Sequence, residues 1–216
     1  MKIALFIFYS LIFTLSTSGQ RTNPPTDTLD SATHRVTIQP IIFCEDSGVN
    51  PARYEIHEEL VDKCYSLAHV DFKFLEPLNY KNGDGLKGAI SLNEIVKQAN
   101  KDGMCDKINQ NVIHLFFTNK LEGQPRKPMG RGMMNGPYCF IVLTSKKTIG
   151  VEAFVLAHEI GHCLGLKHIV DDPKIPNDTE PNIMGEGAFL ERIGPKGMVP
   201  YQIEEILKSR FVKPIK

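Results

Sequence analysis

The segment His158–His168, HEIGHCLGLKH, restricts what this chain can fold into more than any other stretch. On a helix of 3.6 residues per turn, His158 and His162 lie one turn apart on the same face, so both imidazoles can point at one ion. Glu159 sits beside them. Gly165, three residues after His162, can take the left-handed conformation that ends a helix and turn the chain so that His168 approaches from another direction. Neutral imidazole binds zinc at about 2 Å, and catalytic sites commonly use three protein ligands and leave a fourth position to water. The bare pair His158 and His162 fits an ordinary amphipathic helix almost as well as a metal site. The full pattern HExxHxxGxxH, matched at all five specified positions, is far more restrictive. His34, His57, His69 and His114 have no comparable neighbours in sequence and read as surface or satisfied core histidines.

The remainder of the chain supplies a single domain. Its 216 residues are enough for one core. Lys plus Arg and Asp plus Glu balance at 25 each, so no field of one sign steers the chain to nucleic acid or an anionic membrane. Lys2, the apolar run Ile3 to Leu15 and the small residues Ser16 to Gly19 have the pattern of a secretory leader over residues 1–19. That run is shorter than the roughly 20 apolar residues a bilayer span needs, so the mature chain is expected to be soluble and secreted or periplasmic. Residues 20–34 are polar and rich in Thr, Pro and Asp, a linker or short pro-segment whose Asp27 and Asp30 offer carboxylates to a metal site. In an oxidising compartment the five cysteines, Cys44, Cys64, Cys105, Cys139 and Cys163, suggest one or two disulfides with at least one thiol left over. Cys64, on a helical face with Ile56, Leu60 and Leu67, reads equally well as a plain buried thiol.

Residues 35–216 read as alternating elements. Strands are expected at Arg35 to Phe43, Val70 to Leu75 and Asn111 to Thr118, and a helix opened by proline at Pro51 to Ala68. A short helix follows at Leu92 to Asn100. Pro128 to Met134 and Tyr138 to Thr144 form a hairpin joined through Asn135-Gly136, a dipeptide favoured in two-residue turns. Helices from about Gly150 to Leu164 and from Pro200 to Phe211 complete an α/β (α+β) arrangement, a mixed sheet with helices packed on it.

With these residues in view, the chain resembles the metzincin clan of zinc endopeptidases, whose extended signature His158, Glu159, His162, Gly165 and His168 reproduce. Met184 in PNIMGEG, sixteen residues beyond His168, matches the clan's methionine turn. The resemblance implies a metzincin-like catalytic domain over residues 35–216, with a twisted mixed sheet, an edge hairpin, the zinc helix and a terminal helix. It implies one catalytic zinc ion held by His158, His162 and His168, with Glu159 as general base and Met184 as a structural residue. Ile169 follows the third histidine where astacin-like, adamalysin-like, serralysin-like and matrixin-like members carry Glu, Asp, Pro, Ser or Thr. The NIM turn and VPYQIEEILKSR are instead similar to pappalysin-like enzymes. Glu186 stands two residues after Met184, where some members have a tyrosine ligand, so three histidines are the expected set.

The expected partner is a protein or peptide substrate, extended along the edge segment Gly130 to Gly136, and the protein is expected to act as a monomer. The resemblance places the loop Gly185 to Gly197 at the specificity pocket. Asp171, Asp172, Asp178 and Glu180 lack the ordered spacing of a calcium loop and read as a solvated face, so calcium has no support. Asn177-Asp178-Thr179 is a glycosylation acceptor in a host that glycosylates exported chains. The alternative to an enzyme is a secreted zinc-containing binding protein without proteolytic activity. Glu159 separates the two, because a structural site has no use for a base.

Overall fold

The structure, a computed structural model, describes residues 32–105, 111–122, 129–143, 149–175, 182–185 and 197–216. The leader, most of the polar linker with Asp27 and Asp30, the glycosylation acceptor and most of the loop after Met184 fall outside the described residues. In chain order the strands are β1 (His34–Cys44), β2 (Val70–Phe74), β3 (Leu78–Lys81), β4 (Val112–Phe117), β5 (Gly130–Gly132), β6 (Tyr138–Ile141) and β7 (Lys213–Pro214). The helices are α1 (Glu58–Tyr65), α2 (Gly83–Lys87), α3 (Leu92–Lys101), α4 (Ile149–Cys163) and α5 (Pro200–Lys208). This is the expected mixed α/β architecture. Among the described residues no helix is long and apolar enough to cross a membrane.

One sheet runs in the order β2-β1-β4-β6-β5, with β3 and β7 also paired to β1. β1 is parallel to β2, β3 and β4, β4 is parallel to β6, and β5 is antiparallel to β6 at the edge. Parallel strands covered on both faces carry apolar runs rather than alternation. β4, VIHLFF, is buried along its whole length. Phe140, Phe116 and Phe43 stack across β6, β4 and β1 at centroid distances of 4.9 and 5.7 Å. Tyr80 continues the row and its hydroxyl donates to Asp102 at the end of α3. α4 packs against α1, β5 and β6, and the Tyr65 hydroxyl of α1 donates to the Ala157 carbonyl at 2.7 Å.

Several expectations need correction. Residues 51–57 are not helical, and α1 starts at Glu58. The segment stays extended because Ala52 bonds back to Phe43 and because Arg53 is drawn to Glu152 of α4. The hairpin forms, but its loop is not a two-residue turn: Met133 N–H bonds Tyr138 and Gly136 N–H bonds the Met133 carbonyl. Asn135 alone in that dipeptide has positive φ, whereas the expected turn needs it at both residues. α5 stops at Lys208, where the chain turns so that Phe211 and Val212 are buried and β7 reaches β1. All five cysteines are free thiols. The expected disulfides are not formed: Cys44, Cys105, Cys139 and Cys163 are buried as thiols, and Cys163 donates to the Tyr138 carbonyl at 3.3 Å.

Candidate metal centre

α4 carries eleven buried residues among its fifteen, as expected of a helix enclosed by sheet, helix and loop on several sides. Its burial fixes the direction of the histidines. His158, His162 and His168 each offer a ring nitrogen, and these atoms lie within 4.8 Å of one another. The His162 and His168 Nε2 atoms are 3.1 Å apart. Two nitrogens at zinc-ligand distance in tetrahedral array would be about 3.3 Å apart. The three residues therefore fit a single ion.

The other ring nitrogens are held from behind. His158 Nδ1 meets the Ile183 carbonyl and His162 Nδ1 the Leu166 carbonyl, both at 2.8 Å. His168 Nδ1 lies 3.5 Å from an Asp171 carboxylate oxygen. Such contacts set the tautomer and aim Nε2 at the metal position. Burial pulls His158 down to about 4 against the opposing effect of the Ile183 carbonyl, and burial also lowers His162. Both rings are neutral near pH 7, the form that binds metal.

Gly165, at φ +104°, follows the end of α4 with its N–H on the His162 carbonyl. His168 then begins a 3-10 turn, Ile169–Asp171, which faces the methionine loop through the bond from Ile169 N–H to the Met184 carbonyl. Met184 is fully buried beneath α4. Its sulfur would lie 2.7 Å from a methyl group placed on Gly161, so this glycine is what admits it.

Glu159 is buried, and its Oε2 accepts the Gly132 N–H of β5 at 2.6 Å. Burial pushes its carboxyl up to about 7, with the Gly132 bond and the charge of Arg131 pulling the other way. The strand passes this close because it is glycine on both sides of Arg131. A methyl on Gly130 would sit 2.5 Å from Glu159 Cγ, and one on Gly132 would run into the Glu159 carbonyl oxygen. A cavity of about 640 Å3 opens over Glu159, His162 and His168.

The sequence did not single out the supports of this centre. Asn182 and Gln202 exchange two amide hydrogen bonds of 2.8 and 3.0 Å, and Asn182 also accepts the Met184 N–H. Arg53 bonds both Glu152 oxygens and Glu55, and it lowers the Glu55 pKa. Glu55, His57 and Glu152 have ligand atoms close enough for a metal ion, but the guanidinium already compensates the two carboxylates. His114, one of the four unassigned histidines, is buried in β4 with its ring 5.9 Å from that of Tyr138.

The sheet, the edge hairpin, the histidine-bearing helix and the loop around Met184 make up a mixed α/β fold. No family model matches the sequence, and no curated protein matches it. Among solved structures, the chain is similar to an archaemetzincin from Methanopyrus kandleri, with a TM-score of 0.52 and 14% identity over 81% of this chain and 95% of that one. It is similar also to metalloproteinase-II from Bacteroides fragilis, with a TM-score of 0.52 and 15% identity over 86% of this chain and 55% of the other. At these identities the likeness is one of fold.

Proposed function

We propose that the chain is an exported zinc-dependent endopeptidase. The observation that carries this reading is the convergence of three imidazoles, two of them pinned through Nδ1 by backbone carbonyls, beside a buried carboxyl in an open cavity. Its fold neighbours include proteins named as an archaemetzincin and a metalloproteinase, which supports the same reading. Export rests on the leader pattern of residues 1–19. The pappalysin-like resemblance rests on the methionine turn and residues 199–210.

His158, His162 and His168 would hold one zinc ion. When bound, the ion supplies a Lewis acid that polarises a peptide carbonyl and acidifies water. Glu159, with a carboxyl balanced near neutrality, takes a proton from the attacking water and passes it to the leaving amine. The Gly132 N–H keeps that carboxyl turned toward the cavity. Backbone groups on the free edge of β5 can hold an extended peptide in register with it.

The test is zinc content and peptide cleavage measured on the same preparations. Wild-type protein is expected to hold about one zinc per chain and to lose cleavage with chelator. His158→Ala or His168→Ala should lose metal and activity together, while Glu159→Ala keeps the metal and loses activity. Full zinc retention in His168→Ala would refute the ligand set. Zinc-loaded wild-type protein that cleaves nothing across a broad peptide library would establish the binding-protein alternative.

A further inference from the structure

Two open cavities meet at β5. The first, of about 640 Å3, contains Glu159, His162 and His168 on its walls. The second, of about 400 Å3, lies between β5 and α3, with Leu92, Val96, Met133 and Phe140 on its walls. Arg131 lines both, and among the described residues it is the one charged side chain they share. Lys167, next to His168 in sequence, lines the first. Both cations are exposed, and neither makes an ion pair with a described residue. Of the two acids on the first cavity, Glu159 is engaged by Gly132 and Asp171 lies beside His168.

The pairing of β5 shows how a peptide would meet Arg131. Met133 N–H bonds the Tyr138 carbonyl and Val142 N–H bonds the Met129 carbonyl, so alternation turns the backbone groups of Gly130 and Gly132 away from β6. Their missing side chains face α4, whereas Arg131 shares the α3 side with its partner Phe140. An added strand keeps this alternation. Its residue opposite Arg131 presents a side chain on the Arg131 face, and the residues on either side of it face α4 and Glu159.

We propose that the cleft selects peptides with an aspartate or glutamate at the position opposite Arg131, one residue from those that face the zinc site; this rests on the peptidase reading above. Arg131 binds the carboxylate, and Lys167 adds to the positive field of the cavity. Glu122 lines the second cavity and repels a carboxylate that enters deeply, so recognition falls at the strand itself. A guanidinium matches a carboxylate through two parallel hydrogen bonds, which gives the contact direction as well as charge.

The experiment uses zinc-loaded protein and quenched fluorescent peptides that carry Glu, Gln or Lys at each position around the cleaved bond. At one position Glu should exceed Gln by about two- to fivefold in kcat/KM, the range of an exposed charge pair, and the ratio should shrink with added salt. Arg131→Gln should bring the Glu-to-Gln ratio close to one, and Arg131→Glu should reverse it in favour of Lys. Lys167→Gln should reduce the ratio by a smaller factor. Chelator-sensitive cleavage with a ratio unchanged in Arg131→Gln, or a wild-type preference for Lys, overturns charge selection and leaves the peptidase reading intact. Absence of any chelator-sensitive cleavage overturns both.

Discussion

At Gly132 a single methyl group would meet the Glu159 carbonyl oxygen and lie 2.8 Å from His162 Cβ, both parts of a packed helix that cannot yield. Gly132→Ala must therefore push β5 outward and carry away the N–H that holds the Glu159 carboxylate. A displacement of about 1 Å at a reacting group can cost 10²-fold in rate, so a fall in kcat of about 10- to 100-fold with zinc retained is expected. Wild-type kcat in a folded, zinc-loaded variant would show that the strand's hold on Glu159 does not matter to turnover. Gly161→Ala tests packing instead, since its methyl would stand 2.7 Å from Met184 Sδ and 3.2 Å from the Tyr65 hydroxyl. Overpacking of this kind costs about 1 to 3 kcal/mol, measurable by denaturant unfolding, and unchanged stability would mean that Met184 has room beneath the helix. The clustering of His158, His162 and His168 beside Glu159 was legible in the sequence because helical spacing and the turn at Gly165 constrain it. Gly132 and Gly161 were not legible, since their roles arise from neighbours more than twenty residues distant.

Elements marked by a continuous apolar run or a helical period were legible to within a few residues, including β1, β4, α3 and α4. α2 was missed because NGDGLKG carries the composition of a turn, yet Asn82 caps it by accepting the Gly85 N–H and Gly88 ends it at φ +64°. β3 was missed because its four residues pair only with the far half of β1. The link between α5 and the methionine turn was equally invisible. Gln202 bonds Asn182 twice and accepts the Val199 N–H that begins its own helix. Gln202→Leu would strand these buried partners, at about 1 to 3 kcal/mol for each unsatisfied group, and loosen the loop whose Ile183 carbonyl orients His158. Since such outer contacts tune metal sites by about 10- to 100-fold, zinc affinity from competition with a chelator should fall along with stability. Unaltered zinc affinity in a destabilised variant would confine Gln202 to a structural role. At the other end of α4, Glu152 has a side chain only 1% exposed and is matched by Arg53. Arg53→Met should lower Tm more than Glu152→Gln does, because only the first leaves a buried carboxylate without its guanidinium. The reverse order would place the stabilising role on Arg53 packing alone.

For the whole molecule, the fold depends on long-range pairing that no local pattern encodes: β1 alone pairs with β2, β3, β4 and β7. Asp62 is one of the clamps that holds the periphery of this assembly, its carboxylate on α1 accepting the Phe72 N–H of β2 at 2.8 Å. Burial pushes Asp62 up to about 6 from 3.8, with the Phe72 bond pulling down and the neighbouring Asp71 and Glu58 adding to the rise. A carboxyl raised on folding favours the folded state below the unfolded pKa, and that contribution is lost as pH rises through the folded value. Between about pH 3.8 and 6 the unfolded chain releases this proton while the folded chain keeps it, so stability falls across that window and stays lower above it. Asp62→Asn retains an acceptor oxygen for Phe72 and removes the charge. After solvent screening of a half-exposed group, the variant should gain about 1 kcal/mol at pH 7, or about 2 to 4 °C in Tm, and almost nothing at pH 4. Thermal unfolding of both proteins at the two pH values measures the difference. An equal gain at pH 4 and pH 7 would assign the effect to packing, and a loss at pH 7 would mean that the ionised carboxylate strengthens the Phe72 clamp by more than its burial costs.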